Sequence, residues 1–322
     1  MIQRLTMTAL MIAGLARMAT AQATAKPPSS YNQQEREAVE VVKGWIGAWR
    51  AYDVEKLMSY MADSLVFRAD PSEPLQYGRD GFRQIAQRVM NGWSGIDLQE
   101  VFVVGGEADT VALFKRVDYF PGNGRGAFSG LAVPVAVMFR VKGGKITEWL
   151  DAPLIPVGPG APPMPGARGR AAPPPGAPPP AARGNPPGAS PVSAPGAPPQ
   201  AWATSKPSFI WNQQEREAAD VVRAWVDAWA TKDPQRVAEY LAENCIFRGN
   251  PSEPLQQGRA AFVTRAARLI GAYDMMKIDE LFVTGTEWDT AVLIKRADGI
   301  ATFFRVKNRR ITEWLDVPTL GH

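Results

Sequence analysis

Asn32-Gln33-Gln34-Glu35-Arg36-Glu37-Ala38 occurs twice in this chain of 322 residues, the second time unchanged at 212–218. Within it Asn32 stands three residues before Glu35, the spacing of a capping box, and Ala38, Val41, Val42, Trp45 and Trp49 follow at helical intervals. The stretch reads as the start of a long amphipathic helix whose buried stripe is rich in tryptophan, and its recurrence reads as a domain present twice. Pro71-Ser72-Glu73-Pro74-Leu75-Gln76 returns at 251–256 with the same offset of 180 residues (32 to 212, 71 to 251). Lys115-Arg116-Val117-Asp118 still keeps that offset, as Lys295-Arg296-Ala297-Asp298, whereas Ile146-Thr147-Glu148-Trp149-Leu150-Asp151 returns at 311–316, offset by only 165. Fifteen residues, the equivalent of 119–133, are missing from the second copy.

Working outward from the first helix, Asp53 opens a shorter one, residues 65–68 make a short strand, and Pro71 and Pro74 interrupt the chain before a helix over 80–93. Four strand-like stretches follow at 97–104, 110–120, 128–141 and 145–153, separated by Gly105-Gly106, Pro121-Gly122-Asn123-Gly124 and Gly143-Gly144. Helices followed by a run of strands predict an α+β fold: two cone-shaped domains, each with N-terminal helices packed in a strongly curved antiparallel sheet whose inside is the natural pocket.

Composition narrows the chemistry. The net charge of +4 is small, with acids and bases interspersed, so no nucleic acid is implied. One cysteine, Cys245, allows no intrachain disulfide and reads as a small buried hydrophobe. The one histidine is the final residue, His322, where a well-held catalytic base is not expected. Acid–base work therefore falls to carboxylates, Tyr, Lys or Arg, and no metal site or cofactor is suggested. Arg4, the apolar run 5–15 and the small-residue options Ala19-Thr20-Ala21 or Ala21-Gln22-Ala23 read as a secretory signal over 1–23, predicting a periplasmic or secreted protein with no membrane attachment after the signal is removed. The Pro, Gly and Ala of 156–207 cannot build a core and read as a disordered linker between a first domain at 30–155 and a second at 208–322. The two domains are then free to dock as an internal pseudo-dimer, or to leave the chain to homodimerise.

Along 110–120 the side chains alternate, placing Ala112, Phe114, Arg116 and Asp118 on one face; on the last strand Thr147, Trp149 and Asp151 share a face. If those faces line the pocket, two carboxylates and a guanidinium converge among Phe114 and Trp149, and unequal distances from Arg116 separate the two acids into a proton donor and a base. The spacing is equally compatible with a solvated cross-strand ion pair.

The order Arg116, Asp118, then Gly144-Lys145-Ile146-Thr147-Glu148-Trp149-Leu150-Asp151, with Tyr77-Gly78-Arg79-Asp80 upstream, resembles limonene-1,2-epoxide hydrolase and, over both copies, the SnoaL-like, nuclear-transport-factor-2-like superfamily. The resemblance implies an Asp-Arg-Asp triad that opens epoxides in one step: Asp151 as the base that activates water, Asp118 as the acid that protonates the epoxide oxygen, Arg116 as the bridge between them. Where that family holds its water with a Tyr and an Asn, this chain has Phe67 or Arg68, and Ala69 or Asp70. Phe67, Arg68, Asp70, Phe114 and Trp149 are thus the candidate binding residues for a small apolar molecule. A non-catalytic binding or scaffold module, and an isomerase or cyclase of the same superfamily, are the competing readings.

In the second copy, Asp298-Gly299 between two strands is a hairpin signal. With that wall shortened, the triad letters Arg296, Asp298 and Asp316 are expected to persist without their geometry.

Overall fold

The computed structural model describes residues 28–69, 73–90, 92–120, 132–154, 208–271, 276–286 and 289–320. The expected signal, the expected linker and Asp70 lie outside the described residues.

Helix α1 (Gln33–Arg50) begins where the repeated motif requires: Asn32 Oδ1 accepts from the Glu35 N–H at 2.8 Å, and Glu35 Oε2 accepts from the Asn32 N–H at 2.9 Å. Glu35 does more than cap. It is fully buried, and its other oxygen accepts the Gly105 N–H at 3.3 Å, while Asn32 Nδ2 donates to the Gly105 carbonyl at 3.0 Å. The cap therefore joins the start of α1 to the end of a strand 70 residues away. Gly105 suits this crowded junction, since a Cβ there would lie 2.3 Å from Thr110 Oγ1. The inner stripe of α1 is sealed: Ala38, Val42, Trp45, Ile46, Ala48 and Trp49 are all buried.

After α2 (Val54–Ser59) come β1 (Met61–Arg68), the two-residue β2 (Gln76–Tyr77), α3 (Arg79–Met90), and four longer strands, β3 (Gly95–Gly105), β4 (Thr110–Tyr119), β5 (Ala132–Lys142) and β6 (Lys145–Pro153). The sheet order is β2-β1-β6-β5-β4-β3. Neighbours are antiparallel except β1 and β6, which run parallel with Phe67 opposite Trp149. The sheet curls around α1 without closing, as an α+β domain should when one long helix fills the concave side.

The second domain repeats the plan: α4 (Gln213–Trp229), α5 (Pro234–Ala238), β7 (Leu241–Arg248), β8 (Gln256–Gln257), α6 (Arg259–Leu269), β9 (Ile278–Gly285), β10 (Thr290–Arg296), β11 (Ile300–Lys307) and β12 (Arg310–Pro318), in the order β8-β7-β12-β11-β10-β9. The missing segment shows as shortening: β10 has 7 residues against 10 in β4, and β11 has 8 against 11 in β5.

Because side chains alternate along a strand, each sheet has two apolar faces. The inner faces hold separate cores around Trp45 and Trp225. The outer faces share a third core, in which Phe102, Val104, Leu113, Met138 and Leu150 of the first domain meet Phe282, Leu293, Phe303 and Leu315 of the second. Phe102 stacks on Phe282 with ring centroids 5.0 Å apart.

Glu35→Ala removes the acceptor of two backbone N–H groups at the α1–β3 junction. Urea unfolding should show a stability loss of about 2–4 kcal/mol; a loss within error of zero would mean that the junction is not held this way.

Candidate active site

β4 and β6 are separated by β5, so their backbones lie roughly 9–10 Å apart, two strand spacings. Arg116 on β4 has the reach to cross that gap, and it does so over Val135 and Val137, both fully buried. Its Nε donates to Asp118 Oδ1 at 2.9 Å and its Nη2 to Asp118 Oδ2 at 3.2 Å. Toward β6, Nη1 donates to Asp151 Oδ1 at 3.2 Å and Nη2 to Asp151 Oδ2 at 2.7 Å. Two forked, charge-assisted pairs thus share one planar cation, a geometry that Lys could not supply. Arg116, Asp118 and Asp151 are each 3 % exposed, which removes the solvated surface ion pair as an account of this spacing.

The surroundings are aromatic. The guanidinium carbon lies 5.4 Å from the Trp45 ring centroid and 5.7 Å from that of Trp93, within cation–π range. Trp149 Nε1 donates to Asp151 Oδ1. Phe67 lies parallel to Trp149 at 5.9 Å, and Phe114 meets Trp45 and Phe139 edge-on. The roles of Trp45 and Trp93 toward Arg116 were not read from the sequence, where the i,i+4 pair Trp45/Trp49 signals only a core stripe. The Nε1 atoms of both Trp45 and Trp49 are buried without an acceptor among the described residues.

Burial is the largest influence on both acids and raises both, opposed by Arg116 through its charge and its hydrogen bonds. Asp151 is pushed up to about 6, with Asp118 adding to the rise and the Trp149 indole opposing it. The two carboxylates in turn hold Arg116 firmly cationic. One guanidinium cannot neutralise two carboxylates in a dry interior, so the site favours a single shared proton. Among the described residues, Asp151 accepts from Arg116 twice and from Trp149 once, whereas Asp118 accepts from Arg116. The Trp149 donor opposes the rise at Asp151 alone, so the two acids sit in unequal surroundings.

Two expectations change. Arg68 does not face this interior. It follows Phe67 on β1 and so points to the opposite face of the sheet, where its Nη2 pairs with Glu313 of the second domain. In the second domain the triad contacts persist where they were expected to be lost: Arg296 reaches both Asp298 and, at 3.2 Å, Asp316. What is lost is enclosure on one side. Asp298 sits in the turn between β10 and β11 with its side chain 41 % exposed, while Arg296 and Asp316 stay buried. Asp316 also gains a hydroxyl donor, Thr302 Oγ1 at 2.6 Å, on the strand position that Val137 occupies in the first domain. A cleft of about 210 Å³ in the second domain, lined by Gln214, Glu217, Asp289, Lys307 and Arg309 among others, touches none of these three residues.

A family model described as the SnoaL-like domain matches residues 42–149 and again 222–314. Comparison with curated proteins returns no significant match. Among solved structures, an NTF2-like protein of unknown function from Mesorhizobium loti is 19 % identical, covering 40 % of this chain and 98 % of that one with a TM-score of 0.33. An epoxide hydrolase of the LEH-like type from M. tuberculosis is 18 % identical, covering 37 % and 84 %, with a TM-score of 0.30. A proposed polyketide cyclase from Xanthomonas campestris pv. campestris is 17 % identical, covering 37 % and 91 %, with a TM-score of 0.31.

A carboxyl group whose folded value is raised binds its proton more tightly in the folded chain, so its contribution to stability is largest at low pH and is lost as pH rises through about 6. Wild type should therefore gain stability relative to Asp151→Asn on going from pH 7 to pH 4 in urea unfolding. Parallel pH profiles for the two proteins would show that Asp151 is not perturbed.

Proposed function

This chain belongs, in both of its halves, to the SnoaL-like domain family, and from that membership we propose that it is an exported protein whose first domain adds water to an epoxide on a small apolar molecule. The observation that carries the reading is the single guanidinium of Arg116 forked onto two buried carboxylates of unequal surroundings. In the proposed step, ionised Asp151 takes a proton from water as the water oxygen attacks an epoxide carbon. The carbon–oxygen bond of the ring breaks, and protonated Asp118 gives its proton to the departing oxygen, leaving a vicinal diol. The proton then resides on Asp151, and its return to Asp118 resets the site. No covalent intermediate and no cofactor is needed. The aromatic rings of Phe67, Phe114 and Trp149 suit an apolar substrate, and Phe67 brings no hydroxyl to hold the water, so Asp151 itself orients it. Export to the periplasm or beyond rests on the charged, apolar and small-residue pattern of 1–23.

A second reading is favoured by the apolar layer between the outer faces of the two sheets. In it the chain is a binding or scaffold module without turnover, folded as an internal pseudo-dimer.

Purified protein incubated with limonene oxide, styrene oxide and a wider epoxide panel separates the two. Hydrolysis that falls by about 10²–10⁴-fold in Asp151→Asn and in Asp118→Asn is expected. Wild type inert across the panel, with an apolar ligand retained in native mass spectrometry, would replace the hydrolase with the binding module.

A further inference from the structure

The strands that carry the triad are held from behind by the other domain. On β6, Trp149 and Asp151 face the inner core, while Glu148, Leu150 and Ala152 face outward. Glu148 is 2 % exposed and accepts from Nη2 of Arg248 in the second domain at 2.8 and 2.7 Å. On the neighbouring β1, Phe67 faces in and Arg68 faces out to Glu313. The two pairs are related by the repeat itself: Arg248 is the second copy's Arg68, and Glu313 is the second copy's Glu148. The ends of the sheets are joined as well, the Thr286 hydroxyl donating to the Leu154 carbonyl at 2.7 Å and the Ala108 N–H to the Thr319 carbonyl at 3.2 Å.

We propose that the second domain acts as a built-in positioning partner, with Arg248 gripping Glu148 to fix the strand whose next residue, Trp149, donates to Asp151. This rests on the first-domain triad being the working site. An ion pair in an otherwise apolar layer adds little net stability, because both charges lose their hydration, but it tolerates almost no slippage. Apolar contacts such as Phe102 on Phe282 accommodate small shifts of one sheet over the other more readily than does a guanidinium nitrogen seated between both oxygens of a buried carboxylate. A shift of the β6 backbone at Glu148 carries Trp149 and Asp151 with it and so changes the distance of the Asp151 carboxylate from Arg116 on β4. The shortened second copy fits this role: it has given up wall around Asp298 while keeping Arg248 and Glu313 buried. Arg248 and Glu148 are thus positioning residues, since neither touches the reacting centre.

The test uses the full chain with ¹⁵N-labelled tryptophan. The Trp149 indole N–H, assigned by its absence in Trp149→Phe, reports the charge on Asp151, whose other charged neighbours in the site are Arg116 and Asp118. Its wild-type titration midpoint is expected near the value of about 6 to which burial raises Asp151. Arg248→Met should displace that midpoint by on the order of half a pH unit or more. The reciprocal exchange Glu148→Arg with Arg248→Glu should bring it back. A folded Arg248→Met protein with an unmoved midpoint would overturn the proposal. If Arg248→Met does not fold, the exchange variant decides: a folded protein titrating as wild type supports the grip, and a folded protein with a displaced midpoint, or an exchange that also fails to fold, counts against it. A wild-type indole that does not titrate would remove its basis. The readout needs no turnover, so failure of the hydrolase reading and failure of the positioning role are told apart.

Discussion

Two carboxylates share one guanidinium behind a wall of aromatic rings, and the arithmetic of charge there constrains everything around it. Arg116 brings one positive charge, and Asp118 and Asp151 bring two negative charges if both ionise. In water the surplus would be solvated. At 3 % exposure it is not, and the low-cost state keeps one proton between the two acids. The rest of the domain serves that state. β4 and β6 supply the acids from either side of β5, buried valines of β5 lie between them, and Trp149 adds a further donor to Asp151.

The duplication shows what this arrangement needs by showing what can be removed. The second domain retains Arg296, Asp298 and Asp316 in contact, so the letters and the hydrogen bonds are not what separates the copies. Solvent is. Shortening β10 and β11 moves the acid from within the strand, where Asp118 lies opposite Val133, to a turn, where the Asp298 side chain is 41 % exposed. Thr302 then gives the remaining buried acid a neutral donor in place of Val137. Burial nonetheless pushes Asp316 up to about 6, as it does Asp151, so the second copy keeps a perturbed acid beside an opened wall, while the outer face of the same sheet is kept as an interface.

Much of this was legible in the sequence, for identifiable reasons. The capping box and the helical stripe from Ala38 to Trp49 are local signals, and the alternation that puts Arg116 and Asp118 on one face is a property of any strand. The parallel pairing of β1 with β6 was not legible, because it joins residues about eighty positions apart with no turn to announce it. Arg68 was misplaced because its candidacy rested on a family position shared with Phe67, although strand parity alone puts the two side chains on opposite faces. Its partner, Glu313, is 245 residues away. The persistence of the second triad was missed for a simpler reason. A turn relocates a backbone by a few ångströms, and an arginine side chain is long enough to follow.

The central claim is that burial makes the pair Asp118/Asp151 hold a proton to higher pH than solvated aspartates do. Carboxyl ¹³C chemical shifts of the two residues, followed by NMR across pH 3 to 9 and assigned with Asp118→Asn and Asp151→Asn, read this directly. Two macroscopic steps are predicted, the upper one near the value of about 6 to which burial raises Asp151. Two carboxyls both ionised by about pH 5, within the ordinary range of solvated aspartates, would contradict it.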